Sequence, residues 1–194
     1  NLATVLDRLA PGVTIRLASK SVRVPDLLQR ASVADPRVRG LMTFHPAETA
    51  WLAARGFDDL LLAYPVARSP DAAPLADAVR AGARVRVVID DVAQIAVLAA
   101  LDPRPEVVVD IDASLHVLGQ HVGVRRSPIR HAADAVPLAA AARDAGLVVS
   151  GVMAYEAPVA GWPSRESTWH SPSCSAAASS CSGSAPAFRV VGWR

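Results

Sequence analysis

Ile15-Arg16-Leu17-Ala18-Ser19-Lys20-Ser21-Val22-Arg23-Val24-Pro25 is a short β-prone run that reaches a lysine and then a proline. Thr14 to Leu17 has the apolar, β-branched character of a strand. Pro25 suits the first position of a helix, where its missing N–H costs nothing. Lys20 therefore falls at the carboxyl end of a strand, in a strand-to-helix loop. It is also the only lysine of the chain, the remaining long basic side chains all being arginine. Arginine stays charged, whereas a desolvated lysine can lose its proton and act as an amine nucleophile. Two readings follow from the residue types. Lys20 is either an amine kept for Schiff-base chemistry or a solvated surface lysine in an arginine-biased sequence.

Working outward, short apolar runs alternate with segments of helical period. Leu2, Val5, Leu6 and Leu9 predict a helix that Pro11-Gly12 stops. Strands are predicted over 14–19, 40–44, 59–64, 84–89, 106–111 and 147–153. Helices are predicted over 25–34, through Ala50, Trp51 and Ala54 to a cap at Gly56, over 72–81, over 92–99 and over 132–145. A polar, glycine-containing loop is expected over 112–130. The alternation predicts parallel βαβ units in an α/β chain. About six units suggest a (β/α) TIM-type barrel, incomplete because eight strands normally close one. No strand is followed by the glycine-rich fingerprint of a dinucleotide site, which argues against an open doubly wound sheet.

The organisation changes after Gly161. Residues 1–161 read as the partial barrel and 162–194 as an irregular Ser/Cys/Trp-rich tail in which no period survives. The abruptness of the change suggests a tail read from a shifted frame or a damaged gene end. The start at Asn1 suggests a fragment or a processed product.

A net charge of +2 gives no electrostatic case for nucleic acid or an anionic membrane. No run approaches the roughly 18 apolar residues of a membrane span, and no leader is visible. The only cysteines are Cys174 and Cys181, which fits a reducing, cytoplasmic setting. His170, Cys174 and Cys181 do not have the spacing of a tetrahedral metal site, so no metal is expected. Asp90-Asp91 reads as a helix N-cap with a first-turn acid, and His45 as a turn residue before Pro46.

Arg16, Lys20, Arg23, Val24 and Pro25 resemble the Arg-Pro-His-x-Lys-Thr-His-Lys-x-Pro motif of the fold-type III pyridoxal-phosphate enzymes. These are the relatives of the alanine racemase N-terminal domain, here in the D-threonine aldolase and D-serine dehydratase branch. Ala18 and Val22 stand where that motif has its histidines. Gly56-Phe57-Asp58-Asp59-Leu60-Leu61-Leu62-Ala63-Tyr64-Pro65 resembles the family's G-x-x-D-I-L-x-A-Y-P. Gly151-Val152-Met153-Ala154-Tyr155-Glu156 resembles its Gly-x-x-x-Tyr-(Asp/Glu)-Gly-His, with Ala157 and Pro158 in the last two places.

The resemblance implies pyridoxal 5'-phosphate as cofactor, held by Lys20, which would also shuttle the substrate's α-proton. It implies Tyr155 beside the cofactor ring at the end of the last strand, with Arg16 as a further contact. Tyr64, at the equivalent end of the third strand, is a weaker candidate whose expected role is packing. The family often has an arginine after the fifth strand that touches the cofactor; His116 occupies that region and would hydrogen-bond without a fixed charge. The implied activity is that of a lyase or racemase acting on D-amino acids or 3-hydroxy amino acids. A truncated copy would have weak activity or none, and a homodimer is expected only at full length. The alternative is a non-catalytic pyridoxal-phosphate-binding homeostasis protein of the same barrel superfamily.

Overall fold

The computed structural model describes residues 2–117 and 120–155. In chain order these form α1 (Leu2–Leu6), β1 (Ile15–Ala18), α2 (Pro25–Ser32), β2 (Val38–Thr43), α3 (Pro46–Ala53), β3 (Asp59–Leu62) and α4 (Ser69–Arg80). There follow β4 (Arg84–Ile89), α5 (Val92–Ala99), β5 (Glu106–Ile111), β6 (Leu115–Val117), β7 (Gln120–Val122), α6 (Ala132–Asp144) and β8 (Val149–Ala154). Six strands pair in parallel in the order β1-β2-β3-β4-β5-β8 and curl into an incomplete (β/α) barrel, as the alternation predicts.

The strands have two different faces, because successive side chains point to opposite sides. Leu41, Leu60, Leu62, Val85, Val87, Ile89, Val107 and Val109 belong to the outer layer. They share one core with Leu28, Leu52, Leu75, Leu98 and Leu138 of the helices. Burying each such side chain stabilises the fold by about 1.5–3 kcal/mol. The inner face carries a second, smaller cluster of Leu61, Ala63, Val88, Val108 and Met153, with Met42 against it. The apolar run Leu60-Leu61-Leu62-Ala63 is continuous because both of its faces are buried.

At the amino-terminal ends of the strands the inner face is ionic. Arg16 Nη2 and Arg86 Nη1 reach the same Asp59 oxygen at 2.7 and 2.5 Å. Arg86 Nε and Arg84 Nε pair with Glu106 at 3.2 and 2.7 Å. Burial pushes the Arg16 guanidinium below its ordinary pKa, against the opposing pull of Asp59. Gly40 makes this packing possible. Its φ is +74°, and an added Cβ would run into the Asp59 carbonyl and the Arg16 guanidinium.

Local differences from the sequence expectation have simple causes. Helix α4 begins at Ser69, ahead of the expected 72, because Pro70 fits the first turn, whose N–H groups have no partner in any case. Within the loop expected over 112–130, β6 and β7 form a small antiparallel hairpin separate from the main sheet. Of the pair Asp90-Asp91, expected as N-cap and first-turn acid, it is Asp91 that caps α5, and no acid lies in the first turn. The Asp91 side chain accepts from Ala93 N–H at 2.7 Å, and Gln94 completes a reciprocal capping box. His45 caps α3 through Nδ1, which accepts from Ala47 N–H at 3.2 Å. The expected tail, 162–194, lies outside the described residues. No described helix is long and apolar enough to cross a membrane.

Candidate functional site at the carboxyl ends of the strands

Lys20 follows β1 by two residues. A tight turn holds it there: Ser21 and Val22 N–H both donate to the Ala18 carbonyl, at 3.0 and 3.3 Å. Ser19 is buried and anchors the turn to β2, its N–H and hydroxyl both donating to the Met42 carbonyl, at 3.0 and 3.2 Å. Arg23 Nε closes the loop onto the Lys20 carbonyl at 3.3 Å. The backbone is therefore fixed while the Lys20 side chain is left exposed at the mouth.

Tyr64 comes from the equivalent place after β3. Ala63 N–H still pairs with the Thr43 carbonyl at 3.0 Å, so the tyrosine sits one residue beyond the last sheet hydrogen bond on this side. Its ring lies 5.8 Å from Lys20 Nζ. The same ring lies 5.0 Å from the guanidinium carbon of Arg126, which is in turn 5.7 Å from the ring of Tyr155, just after β8. Lys20, Tyr64 and Tyr155, the three mouth residues expected from sequence, are thus brought together, and Arg126 links the two rings. Cations favour the faces of such rings by about 0.5–1 kcal/mol when exposed and more when desolvated. Tyr64 and Tyr155 are 43% and 39% exposed.

Arg126 is held by two further bonds. Its Nη2 donates to the Ala63 carbonyl, and its Nε donates to Asp110 Oδ2 at 3.1 Å. Asp110 lies at the inner end of β5 and is fully buried. Among the described residues its other oxygen, Oδ1, has no hydrogen-bond partner. Burial pushes the Asp110 carboxyl above its ordinary pKa, and Arg126 opposes that shift. Asp112, two residues on, is held below the ordinary range against its burial by the Ser114 hydroxyl and N–H and by Arg130.

Arg16 is not part of this cluster. It joins Asp59 and Arg86 at the opposite ends of the strands, where the inner face needs its charge. His116 pairs with His121 across the β6–β7 hairpin, and its side chain lies outside the described residues. Arg126, from the loop after β5, joins the two tyrosines instead, and it is not among the residues singled out from the sequence. It has no local signal, since it is 16 residues from its partner Asp110. Asp110 did have one: it is the single polar residue in Val107-Val108-Val109-Asp110-Ile111. Among the described residues no three His, Cys, Asp or Glu side chains group as metal ligands would.

No protein-family model matches the chain, and no curated protein does. Solved structures do match its fold. A D-threonine aldolase from Filomicrobium marinum superposes with a TM-score of 0.61 at 24% identity, over 73% of this chain and 36% of that one. A lysine decarboxylase from Selenomonas ruminantium superposes with a TM-score of 0.60 at 23% identity, over 79% of this chain and 39% of that one. An SrLDC mutant solved in complex with PLP gives 0.59 at 20% identity, over 79% and 38%. The likeness is one of fold, and this chain spans less than two-fifths of the length of each.

Proposed function

We propose that this chain binds pyridoxal phosphate through Lys20 and forms part of the barrel of an amino-acid lyase or racemase of the D-threonine aldolase kind. The observation that carries the reading is the meeting of the only lysine with Tyr64, Arg126 and Tyr155 at the carboxyl ends of the strands. Barrel enzymes place their chemistry at that end. The fold neighbours, one of them in complex with PLP, support the cofactor class.

The residues present suit such a group. Lys20 offers an amine to its aldehyde. Tyr64 and Tyr155, both partly exposed, offer aromatic surface for a planar heteroaromatic ring to pack against. The Arg126 fork suits an anionic oxygen, and the Asp110 carboxylate keeps it in place. The Asp110 oxygen that is unpartnered among the described residues offers one more acceptor to a bound group. Once bound, pyridoxal phosphate supplies an electron sink for charge at the α-carbon of an amino acid. This chain's share is to anchor and orient the group and to hold a proton at Lys20 Nζ. D-amino acids or 3-hydroxy amino acids are the proposed substrates, by resemblance to D-threonine aldolase.

A second reading, binding without turnover, is favoured by the extent of the barrel. The described strands form six of a barrel's usual eight, so they supply only part of the wall around the mouth.

The test is borohydride reduction in the presence of pyridoxal phosphate, which fixes the pyridoxyl group on the amine it has reached. Peptide mapping should find the added mass on Lys20, and Lys20→Ala should abolish it. Since the chain's other amine is the α-amino group, a label found there alone would defeat the proposal. Turnover of D-threonine or D-serine by the labelled-competent protein separates the enzyme from the carrier.

A further inference from the structure

Beyond Arg126 the mouth continues into an open pocket of about 470 Å³, lined by Asp112, Arg125, Arg126, Ser127, Pro128 and Arg130. Its charges do not balance. Arg126 is engaged by Asp110, and Arg130 Nε leans toward Asp112 Oδ2 at 3.7 Å. Arg125 is exposed and, among the described residues, has no ion-pair partner. Three guanidinium groups therefore face two carboxylates, one of which, Asp112, is also tied to Ser114 N–H at 3.0 Å.

The wall carrying these arginines is firmly built. Ser127 is buried; its hydroxyl donates to the Asp110 carbonyl at 2.7 Å and accepts from Ile129 N–H at 3.0 Å. Asp112 N–H donates to the Ile129 carbonyl at 2.7 Å. The segment from Arg125 to Arg130 is thereby pinned to the end of β5. Arg126 belongs to both compartments, touching Tyr64 and Tyr155 on one side and lining the pocket on the other. A ligand held at Lys20 that extends past Arg126 enters the pocket that Arg125 also lines.

We propose that this pocket is an anion subsite for a second carboxylate of the substrate, so that the preferred amino acids carry an acidic side chain. A guanidinium fork matches a carboxylate with two parallel hydrogen bonds, which gives selectivity for that group over a methyl or hydroxymethyl side chain. The cofactor's own phosphate is the competing anion. In barrels of this class phosphate is held by the loops after the seventh and eighth strands, whereas this pocket follows the fifth strand of the sheet. The inference rests on the reading of Lys20 given above.

Calorimetric titration of the whole chain at low ionic strength, with D-aspartate and D-alanine as probes, tests it. D-aspartate should bind about tenfold more tightly, the gain of one charge-assisted contact. Arg125→Gln should remove that preference, and Arg125→Lys should keep part of it. Equal affinity for the two probes, or a preference that survives Arg125→Gln, overturns the subsite. Titration with pyridoxal phosphate and pyridoxal forms the other arm. If Arg125→Gln weakens only the phosphorylated form, the pocket holds the cofactor's phosphate and the substrate assignment is wrong. Borohydride labelling of the same preparation keeps the two failures apart. Labelled Lys20 without a D-aspartate preference sinks the subsite alone. A preference without labelled Lys20 removes the Lys20 reading, and with it the assignment of the anion to an amino-acid substrate.

Discussion

Asp59→Ala perturbs the ionic layer beneath the inner face, and its cost can be worked out from the structure. The Asp59 carboxylate is 26% exposed and takes guanidinium groups from Arg16 and Arg86, whose side chains are 10% and 3% exposed. Removing it takes from Arg16 and Arg86 the carboxylate they share, while Glu106 still pairs with Arg84 and Arg86. Breaking a buried pair costs about 3–5 kcal/mol, because the surviving charge stays desolvated. Partial access of water at Asp59 favours the lower end, about 3 kcal/mol. At about 2.1 cal/mol/K of unfolding entropy per residue, a barrel of this size should lose roughly 10 °C in Tm. The assay is urea denaturation followed by circular dichroism, with Asp77→Ala as the control. Asp77 and Arg80 form a surface pair, 72% and 59% exposed, and exposed pairs contribute about 0.5 kcal/mol or less. If Asp59→Ala costs no more than Asp77→Ala, the layer is solvated and the argument for its burial fails.

Arg126→Gln should weaken pyridoxal-phosphate labelling of Lys20 and also destabilise the chain by about 2–4 kcal/mol, since it strands the buried Asp110 carboxylate. Adding Asp110→Asn should restore much of the stability without the labelling, and recovery of both would show that Arg126 does not touch the cofactor. Gly40→Ala forces a side chain into left-handed backbone at φ +74° and against Arg16 and Asp59. A loss above about 2 kcal/mol is expected in denaturation, and unchanged stability would contradict the close approach. Asp35 accepts from the Arg37 side chain and N–H, which hold its carboxyl down at about 2. A lowered folded pKa means this contact contributes fully above the ordinary carboxylate value near ~4 and is lost as pH falls from there through about 2. Carbon-13 NMR should give the low midpoint; titration at the ordinary value would show that the pair does not persist in solution.

Much of the fold was legible in local chemistry. Apolar runs such as Leu60-Leu61-Leu62-Ala63, alternating with helical periods, specify parallel βαβ units wherever both faces of a strand are covered. The capping of α5 by Asp91 and the stop after α3 near Gly56 depend only on neighbouring residues. Lys20 could be placed at a strand end because the strand and the proline after it are adjacent in sequence. Local pattern does not say what a charged side chain on an inward position meets across the sheet. Arg16 and Arg126 are both arginines near strand ends. One is claimed by Asp59, 43 residues away, and the other by Asp110, 16 away, with rings from Tyr64 and Tyr155 arriving from two other strands. Strand order and curvature decide which of these distant groups meet, and the ionic pairing that results follows from that meeting. The sequence alone therefore determined the alternation of elements and the position of the single amine. Only the tertiary structure decided that Arg126, rather than Arg16, shares the mouth with that amine, because the ion pairs that separate them form between strands and not along the chain.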